Sequence, residues 1–327
     1  MLSKPTEEFV MARNLIQFQP GLSLPEFMRR YATQAQCEAA LESSRWSNGF
    51  QCPNCGDPRH SRYQRNGRTL FQCQRCRRQT SLTAGTIFEA SKLPLTTWFL
   101  AMHLITQAKN NVSALELSRH LGVSYNSAWL IKHKLLQVMA ERERNRELVG
   151  RIEIDDAYLG GERGGRRGRG SPNKVPFVAA VQTNEEGHPQ FVRFDCLAGF
   201  THAEITLWAQ RALAASTQVL SDGLSGFSVL AEMVEEHQPI VTGSGRAAAQ
   251  HPQFRWVNTL LGNLKTALTG TYHAIKFAKY AQRYLAEVQY RFNRRFDLSV
   301  ILPRLLRAAV TTKARPLHIT RLAELGT

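Results

Sequence analysis

The sequence predicts a multidomain α+β protein in which N-terminal modules precede a larger α/β domain with a mixed sheet. Two Cys-x-x-Cys pairs lie in a region with few long apolar runs, and helical periodicity follows them. Strand-like alternation then begins near residue 149. These changes divide the 327 residues into an N-terminal helical segment, a metal-held module, a helical module, an α/β domain and a basic tail, with bounds 1–50, 51–92, 93–148, 149–300 and 301–327.

The charge balance indicates the class of partner. Lys and Arg number 42 against 26 Asp and Glu, a net charge of +16, which is typical of proteins that bind a polyanion. No apolar run approaches the roughly 18 residues of a membrane helix, and "MLSKPTEEFVMARN" lacks the apolar core and cleavage site of a secretory signal. We therefore expect a cytoplasmic protein whose partner is nucleic acid, with neither a membrane nor a small molecule as its substrate.

Four of the six cysteines form the two pairs, Cys52 with Cys55 and Cys73 with Cys76. Two such pairs at this separation are typical of ribbon-type zinc sites. Four thiolates complete a tetrahedral Zn²⁺ site and leave no position open for substrate, so the predicted zinc is structural. The surrounding arginines either face phosphates or form a solvated surface: Arg59, Arg62, Arg65, Arg68, Arg75, Arg77 and Arg78.

The stretch "SALELSRHLGVSYNSAWLIKHKL" is typical of a helix-turn-helix. Ser113 and Ser124 are suited to cap the two helices, and Gly122 to make the turn between them. A second helix in this position would direct five side chains toward DNA: Tyr125, Asn126, Ser127, Lys132 and Lys134. The alternative is a helical hairpin that serves packing alone.

Two aspartates lie near the ends of predicted strands. Asp155 ends the alternating "GRIEID", and Asp222 ends "TQVLSD", with the apolar strand "VPFVAAV" between them. If these strands are neighbours, the two carboxylates can hold a pair of Mg²⁺ ions that activate a nucleophile and stabilise a leaving oxygen. A turn residue is the alternative for Asp222, because Gly223 follows it. We expect Asp156 to point to the opposite strand face and to be structural.

A predicted helix, "NTLLGNLK", carries the remaining polar candidates. Asn258 and Lys265 are seven residues apart and therefore share one helix face. The Asn258 amide oxygen can coordinate Mg²⁺, but it brings no charge and cannot act as a base. The loop "GERGGRRGRG" is either a surface loop or a phosphate-binding segment, through Arg163, Arg166, Arg167 and Arg169.

Several stretches, in order, give a resemblance to bacterial DDE-type insertion-sequence transposases of the ISXO-like group. They include "CPNCG", "SALELSRHLGVSYNSAW", "IEIDDAYLGG", "SDGLSGF" and "WVNTLLGNLKTALTGTYHAI". The resemblance implies a zinc ribbon over 51–92, a helix-turn-helix over 93–148 and a ribonuclease H-like catalytic domain over 149–300. It also implies an Asp-Asp-Asn-Lys signature, in which Asp155 and Asp222 hold metal, Asn258 stands where glutamate is usual, and Lys265 is the lysine that follows.

The activity that this resemblance implies is DNA transposition. Such an enzyme binds the terminal inverted repeats of its element, hydrolyses a DNA strand and joins the freed 3′-hydroxyl to target DNA. It would use Mg²⁺ or Mn²⁺ for catalysis and Zn²⁺ for structure, act as a homodimer or larger assembly, and lie in the bacterial cytoplasm at the nucleoid. The alternatives are a ribonuclease H-like nuclease or resolvase, and an inactive DNA-binding regulator, since Asn258 is also compatible with a decayed element.

Overall fold

The computed structural model describes residues 15–160, 174–241, 251–272 and 277–323. It begins with two short helices, α1 (Leu24–Tyr31) and α2 (Gln34–Arg45). The Ser23 hydroxyl accepts the backbone N–H of Glu26, and Thr33 forms a reciprocal capping box with Gln36. Local hydrogen bonds from these side chains therefore define where both helices begin.

A small antiparallel sheet follows, made of β1 (His60–Arg65), β2 (Arg68–Cys73) and β3 (Gln79–Ser81) in that order. Asn66 and Gly67 join the first two strands with φ of 51° and 70°, the left-handed geometry that an Asn-Gly turn favours. Phe71 is fully buried and packs against Trp46 at the end of α2, with ring centroids 4.6 Å apart. The sheet is therefore built onto the preceding helices.

The next three helices are α3 (Leu95–Gln107), α4 (Ala114–Leu121) and α5 (Tyr125–Arg144). Ser113 and Ser124 cap α4 and α5 by accepting N–H groups of Glu116 and Ser127, and Gly122 between them adopts φ 63°. These are the caps and turn that the sequence predicts. Among the described residues, no helix combines the length and apolarity that crossing a membrane requires.

The second sheet has five strands: β4 (Leu148–Leu159), β5 (Val175–Thr183), β6 (Pro189–Cys196), β7 (Leu213–Asp222) and β8 (Glu236–Ile240). Their order is β6-β5-β4-β7-β8. β5 is antiparallel to both of its neighbours, whereas β7 is parallel to β4 and β8 to β7. A three-strand meander that continues into parallel strands beside its first member is the ribonuclease H-like arrangement, so the predicted fold class is confirmed.

Helices cover both faces of this sheet. On one face, α6 (His202–Ala212) buries Trp208 against Ile152 and Ile154 of β4. On the other face lie α7 (Arg255–Thr271) and α8 (Phe277–Phe292), whose apolar residues share a core with the N-terminal helices. Because successive strand residues alternate, Glu153 and Asp155 lie on the α7 face.

The edge strand β6 is covered by amide side chains from α8. The oxygens of Gln282, Gln289 and Asn293 accept the backbone N–H groups of Cys196, Phe194 and Val192 at 2.8, 3.0 and 2.8 Å. The amide nitrogens of Gln282 and Asn293 also donate to carbonyls of the same strand. These bonds satisfy backbone groups that an open sheet edge would leave available for pairing with another chain.

The C-terminal residues differ from the predicted basic tail. They form α9 (Ile301–Thr311) and α10 (Leu317–Leu322), and α9 packs against α2, α3 and α5. Leu302 and Leu305 are fully buried, whereas Arg304 and Arg307 are exposed. The sequence looked like a basic tail because the arginines occupy the outer face of an amphipathic helix whose inner face completes the core.

Candidate active site and metal centres

The sheet topology brings Asp155 and Asp222 together. β4 and β7 are parallel and adjacent, and their last aligned pair is Ile154 with Ser221. Asp155 and Asp222 follow this pair, on the same side of the sheet and at the carboxyl ends of two neighbouring strands. An α/β sheet commonly places its ligand site at such an edge.

A third carboxylate joins these two. Asp155, Asp156 and Asp222 each contribute a carboxylate oxygen to a cluster in which all three atoms lie within 4.8 Å of one another. The expectation that Asp156 points away was therefore wrong. Beyond Ile154, β4 remains paired with β5 but no longer with β7, so its edge is open on the side where Asp222 lies. Three half-buried carboxylates at this spacing suit a divalent cation, which prefers oxygen ligands.

The start of α7 is attached to β4 beside this cluster. Glu153 Oε2 accepts the backbone N–H groups of Trp256 and Val257 at 2.9 and 3.0 Å, and Asn258 is the next residue. Lys265 lies two helical turns further on, close enough for its charge to act on the Asp155 carboxyl. Because Asn258 and Lys265 share a face of α7, the face that carries both residues is the one beside the carboxylates.

The pKa of the Asp155 carboxyl is raised to about 7. Burial is the largest cause, followed by the negative charges of Asp222 and Asp156. The Asp156 backbone N–H and the Lys265 ammonium oppose this shift only in part. The site therefore holds more negative charge than its own residues balance, and a bound cation would relieve this excess.

Metal binding should depend on pH as a consequence. A carboxyl with a raised pKa keeps its proton below about pH 7, so a cation must displace that proton in order to bind. We expect the affinity for Mn²⁺, measured by calorimetry, to fall as the pH is lowered from 8 to 6, with proton release on binding. Asp156→Asn removes one neighbouring charge and should move this dependence to lower pH. Equal Mn²⁺ affinity at both pH values would contradict this account.

The four paired cysteines form the second candidate metal centre. The Sγ atoms of Cys52 and Cys76 lie 3.5 Å apart, those of Cys55 and Cys73 lie 3.6 Å apart, and all four lie within 4.8 Å of one another. Four sulfurs at about 2.3 Å from a tetrahedral Zn²⁺ are separated by about 3.8 Å, so the cluster fits that ion. The backbone N–H groups of Gly56 and Arg77 close each knuckle by donating to the carbonyls of Cys52 and Cys73.

Loss of a zinc ligand should unfold the ribbon. With only three sheet strands and few apolar residues, the module depends on metal binding for its stability. We expect Cys73→Ser to lose the bound zinc and to make residues 50–82 sensitive to limited proteolysis. Cys196→Ala, which removes a thiol elsewhere, should retain zinc. A Cys73→Ser protein that keeps one tightly bound zinc, measured by a chromogenic chelator, would refute the four-cysteine site.

The residues predicted to contact DNA fall into three groups. Tyr125 and Asn126 are exposed and Ser127 is half-buried, at the start of α5. They line a groove of about 480 Å³ together with Lys279 and Arg321. The four predicted arginines Arg163, Arg166, Arg167 and Arg169 lie outside the described residues.

Lys132 and Lys134 do not face solvent, so their assignment to DNA was wrong. Their side chains are 1% and 6% exposed. Lys132 Nζ donates to the Val112 carbonyl and the Tyr272 hydroxyl and pairs with Glu287 at 3.5 Å. Lys134 Nζ donates to the Ile87 carbonyl at 2.9 Å. Both are internal cations that connect α5 to other parts of the core.

Fold and site together define a class: a ribonuclease H-like domain with a carboxylate cluster suited to a divalent cation, preceded by a zinc-ribbon module. Residues 147–293 match the ISXO2-like transposase domain family, and residues 32–79 match the transposase zinc-ribbon domain. The two matches are to the domain types that the resemblance indicated, a DDE-type transposase domain and a transposase zinc ribbon. The zinc-ribbon match begins before residue 51 and includes α2, against which the ribbon packs.

One similar protein is described as an uncharacterized protein in the transposable element ISH50 of Halobacterium salinarum. It is 29% identical over 180 residues. The match covers 49% of this chain and 59% of that relative. The chain therefore matches less than two thirds of the length of this relative.

Proposed function

We propose that the protein binds the terminal inverted repeats of an insertion sequence, cleaves a DNA strand at the element's end and joins the freed 3′-hydroxyl to target DNA. The observation that carries this proposal is the convergence of Asp155, Asp156 and Asp222 beside the helix that bears Asn258 and Lys265, in a domain of the transposase family.

Each residue has a part in this chemistry. Asp155, Asp222 and Asn258 are the proposed ligands of Mg²⁺ or Mn²⁺, which when bound would activate the attacking oxygen and stabilise the leaving oxygen. Since Asn258 is neutral, Asp156 supplies the third negative charge of the site. The Lys265 ammonium is suited to contact a phosphate next to the scissile bond. In cleavage, water attacks phosphorus and the 3′-oxygen leaves. In joining, that 3′-hydroxyl attacks the phosphorus of a target phosphodiester, and the target strand's own 3′-oxygen leaves.

The DNA-binding surface that we propose combines the start of α5 with neighbouring cations. Tyr125, Asn126 and Ser127 offer polar and aromatic groups, and Lys279 and Arg321 across the groove offer positive charge. Cations of this kind neutralise phosphates and position the duplex, while the first turn of a recognition helix reads base edges. Both DNA ends must be brought together, so the active species is a homodimer or larger assembly.

Reversal of one charge in this groove tests the surface. We expect Lys279→Glu to weaken binding to duplex DNA at low salt and to reduce the slope of log affinity against log salt concentration by about 1 for each phosphate that the variant no longer neutralises. Arg211→Glu, in which an exposed arginine of α6 is reversed in the same way, should change binding little. An equal weakening in the two variants would show only a general effect of net charge.

The proposed activity is tested with a labelled duplex that carries the DNA flanking the gene, a supercoiled target, and Mg²⁺ or Mn²⁺. The expected products are a cleaved strand with a free 3′-hydroxyl and a joined product in the target. Cleavage that never yields a joined product would favour a ribonuclease H-like nuclease or resolvase. DNA binding without cleavage in either metal would favour an inactive regulator.

A further inference from the structure

Glu153 is a buried acid on the same face of β4 as the catalytic carboxylates, and the proposed chemistry gives it no part. Its side chain is 4% exposed, and it lies two positions before Asp155. Two residues along a strand span about 6.6 Å, so Glu153 lies next to the site without belonging to the carboxylate cluster. The one oxygen Oε2 accepts both helix N–H groups, from Trp256 and Val257.

These bonds replace a cap that α7 does not make for itself. The residue at its N-cap position is Phe254, which offers no side-chain hydrogen bond to the first turn. The first N–H groups of a helix have no partner within the helix, and a negative charge at that end is favoured. Glu153 therefore caps α7 from a different element, and the cap joins the helix to the central strand.

The cap connects the segments that carry two of the proposed metal ligands. Val257, one of the two donors, directly precedes Asn258, and Glu153 is two residues from Asp155. One carboxylate thus connects the backbone of the proposed third ligand to the strand that bears the first. The Trp256 indole N–H also donates to the Gly187 carbonyl at 2.6 Å, which is a second contact that holds this turn.

We propose that Glu153 is a positioning residue: its carboxylate holds the first turn of α7 so that Asn258 lies beside Asp155 and Asp222, and it does not itself bind the metal. This inference rests on the proposed function. An amide is a weaker ligand for Mg²⁺ than a carboxylate, so the position of Asn258 must be fixed by its surroundings. Groups that orient metal ligands commonly contribute about 10- to 100-fold to metal affinity.

Three variants test whether Glu153 positions Asn258, serves only as a structural cap, or binds the metal itself. In the unmodified protein a single oxygen, Oε2, accepts both N–H groups. Glu153→Gln can therefore keep this acceptor oxygen while it removes the negative charge. Glu153→Ala removes the acceptor altogether. Thr201→Ala is the control, because the Thr201 hydroxyl caps α6 on the opposite face of the sheet by accepting the Glu204 N–H. The full chain is measured without DNA, by amide hydrogen exchange in the metal-free protein and by Mn²⁺ binding.

In Glu153→Ala we expect exchange at Trp256 and Val257 to accelerate about tenfold or more, and the Mn²⁺ dissociation constant to rise about 10- to 100-fold. Glu153→Gln should restore most of both properties, and it carries the test if Glu153→Ala does not fold. Thr201→Ala should accelerate exchange at the start of α6 and leave Mn²⁺ binding unchanged.

Two results would overturn the proposal. If Glu153→Ala accelerates exchange but leaves Mn²⁺ binding unchanged, the cap is structural only. If Glu153→Gln keeps normal exchange but binds Mn²⁺ as weakly as Glu153→Ala, the carboxylate is itself a ligand. Neither measurement uses DNA, so a wild-type protein that never cleaves DNA would refute the proposed function and leave this test intact.

Discussion

Replacement of Asp222 by asparagine is expected to abolish metal-dependent DNA cleavage while leaving the fold intact. The variant removes one of three clustered carboxylates but keeps an oxygen that can accept the Leu224 N–H, which Asp222 Oδ1 accepts at 3.3 Å. Metal ions contribute several kcal/mol of transition-state stabilisation in such sites. A loss of about 4 kcal/mol corresponds to a decrease in rate of about 10³-fold, measured in single-turnover cleavage of end-containing DNA.

Replacement of the other two carboxylates is expected to reduce the cleavage rate to different extents. Asp155→Asn should be as severe as Asp222→Asn, whereas Asp156→Asn should retain partial activity if Asp156 contributes charge without being indispensable as a ligand. Glu186→Gln removes an exposed carboxylate from the turn between β5 and β6 and should have no effect. Cleavage by Asp222→Asn at the rate of Glu186→Gln would rule out this cluster as the catalytic site.

The order of elements and the residues of both candidate metal centres could be proposed from the sequence because their signals are local. Paired cysteines, an alternating strand that ends in Asp155, and a helix with Asn258 and Lys265 two turns apart each depend on spacing within a few residues. Asp156 could not be assigned in this way. Strand alternation places it on the opposite face, and only the end of β7 beside it lets its carboxylate approach the cluster.

Tertiary contacts explain the other differences between sequence and structure. Lys132 and Lys134 lie on a helix that also offers Tyr125 and Asn126 to solvent, and position in the sequence does not distinguish a buried lysine from a DNA-binding one. Their acceptors are distant in the chain, at Glu287 and Ile87. The amide side chains that cover β6 were not predicted for the same reason, since Gln282 resembles any polar residue of an exposed helix face until β6 lies beneath it.

Replacement of Lys132 by methionine is expected to lower the free energy of unfolding by about 3–5 kcal/mol, measured by chemical denaturation. Lys132 and Glu287 are 1% and 0% exposed, and the Tyr272 hydroxyl donates to Glu287 Oε2 at 3.0 Å. Burial lowers the pKa of Lys132, and the charge of Glu287 is the largest effect that opposes this shift. Removal of the ammonium leaves Glu287 as a buried charge without its cation, and that loss dominates the cost.

Two further variants test whether the broken ion pair causes this loss of stability. The double variant Lys132→Met/Glu287→Leu should recover much of the missing stability, because it removes both charges together. Arg30→Met breaks the exposed pair with Glu26 on α1 and should change the stability much less than Lys132→Met. The opposite result is a loss of unfolding free energy in the double variant that equals the sum of the losses in the two single variants. In that case lost packing, and not the broken ion pair, explains the effect.

The same variant should also affect α7, the helix that bears Asn258 and Lys265. Tyr272 lies at the C-terminal end of α7, and through Lys132 it is bonded to the Val112 carbonyl just before the cap of α4. The helix that bears Asn258 and Lys265 is thus attached to the sheet at its start, through Glu153, and to the helix-turn-helix at its end. We expect Lys132→Met to accelerate amide exchange at the C-terminal end of α7 and the start of α4 together. Acceleration at only one of the two would show that the network supports each element separately and does not connect them.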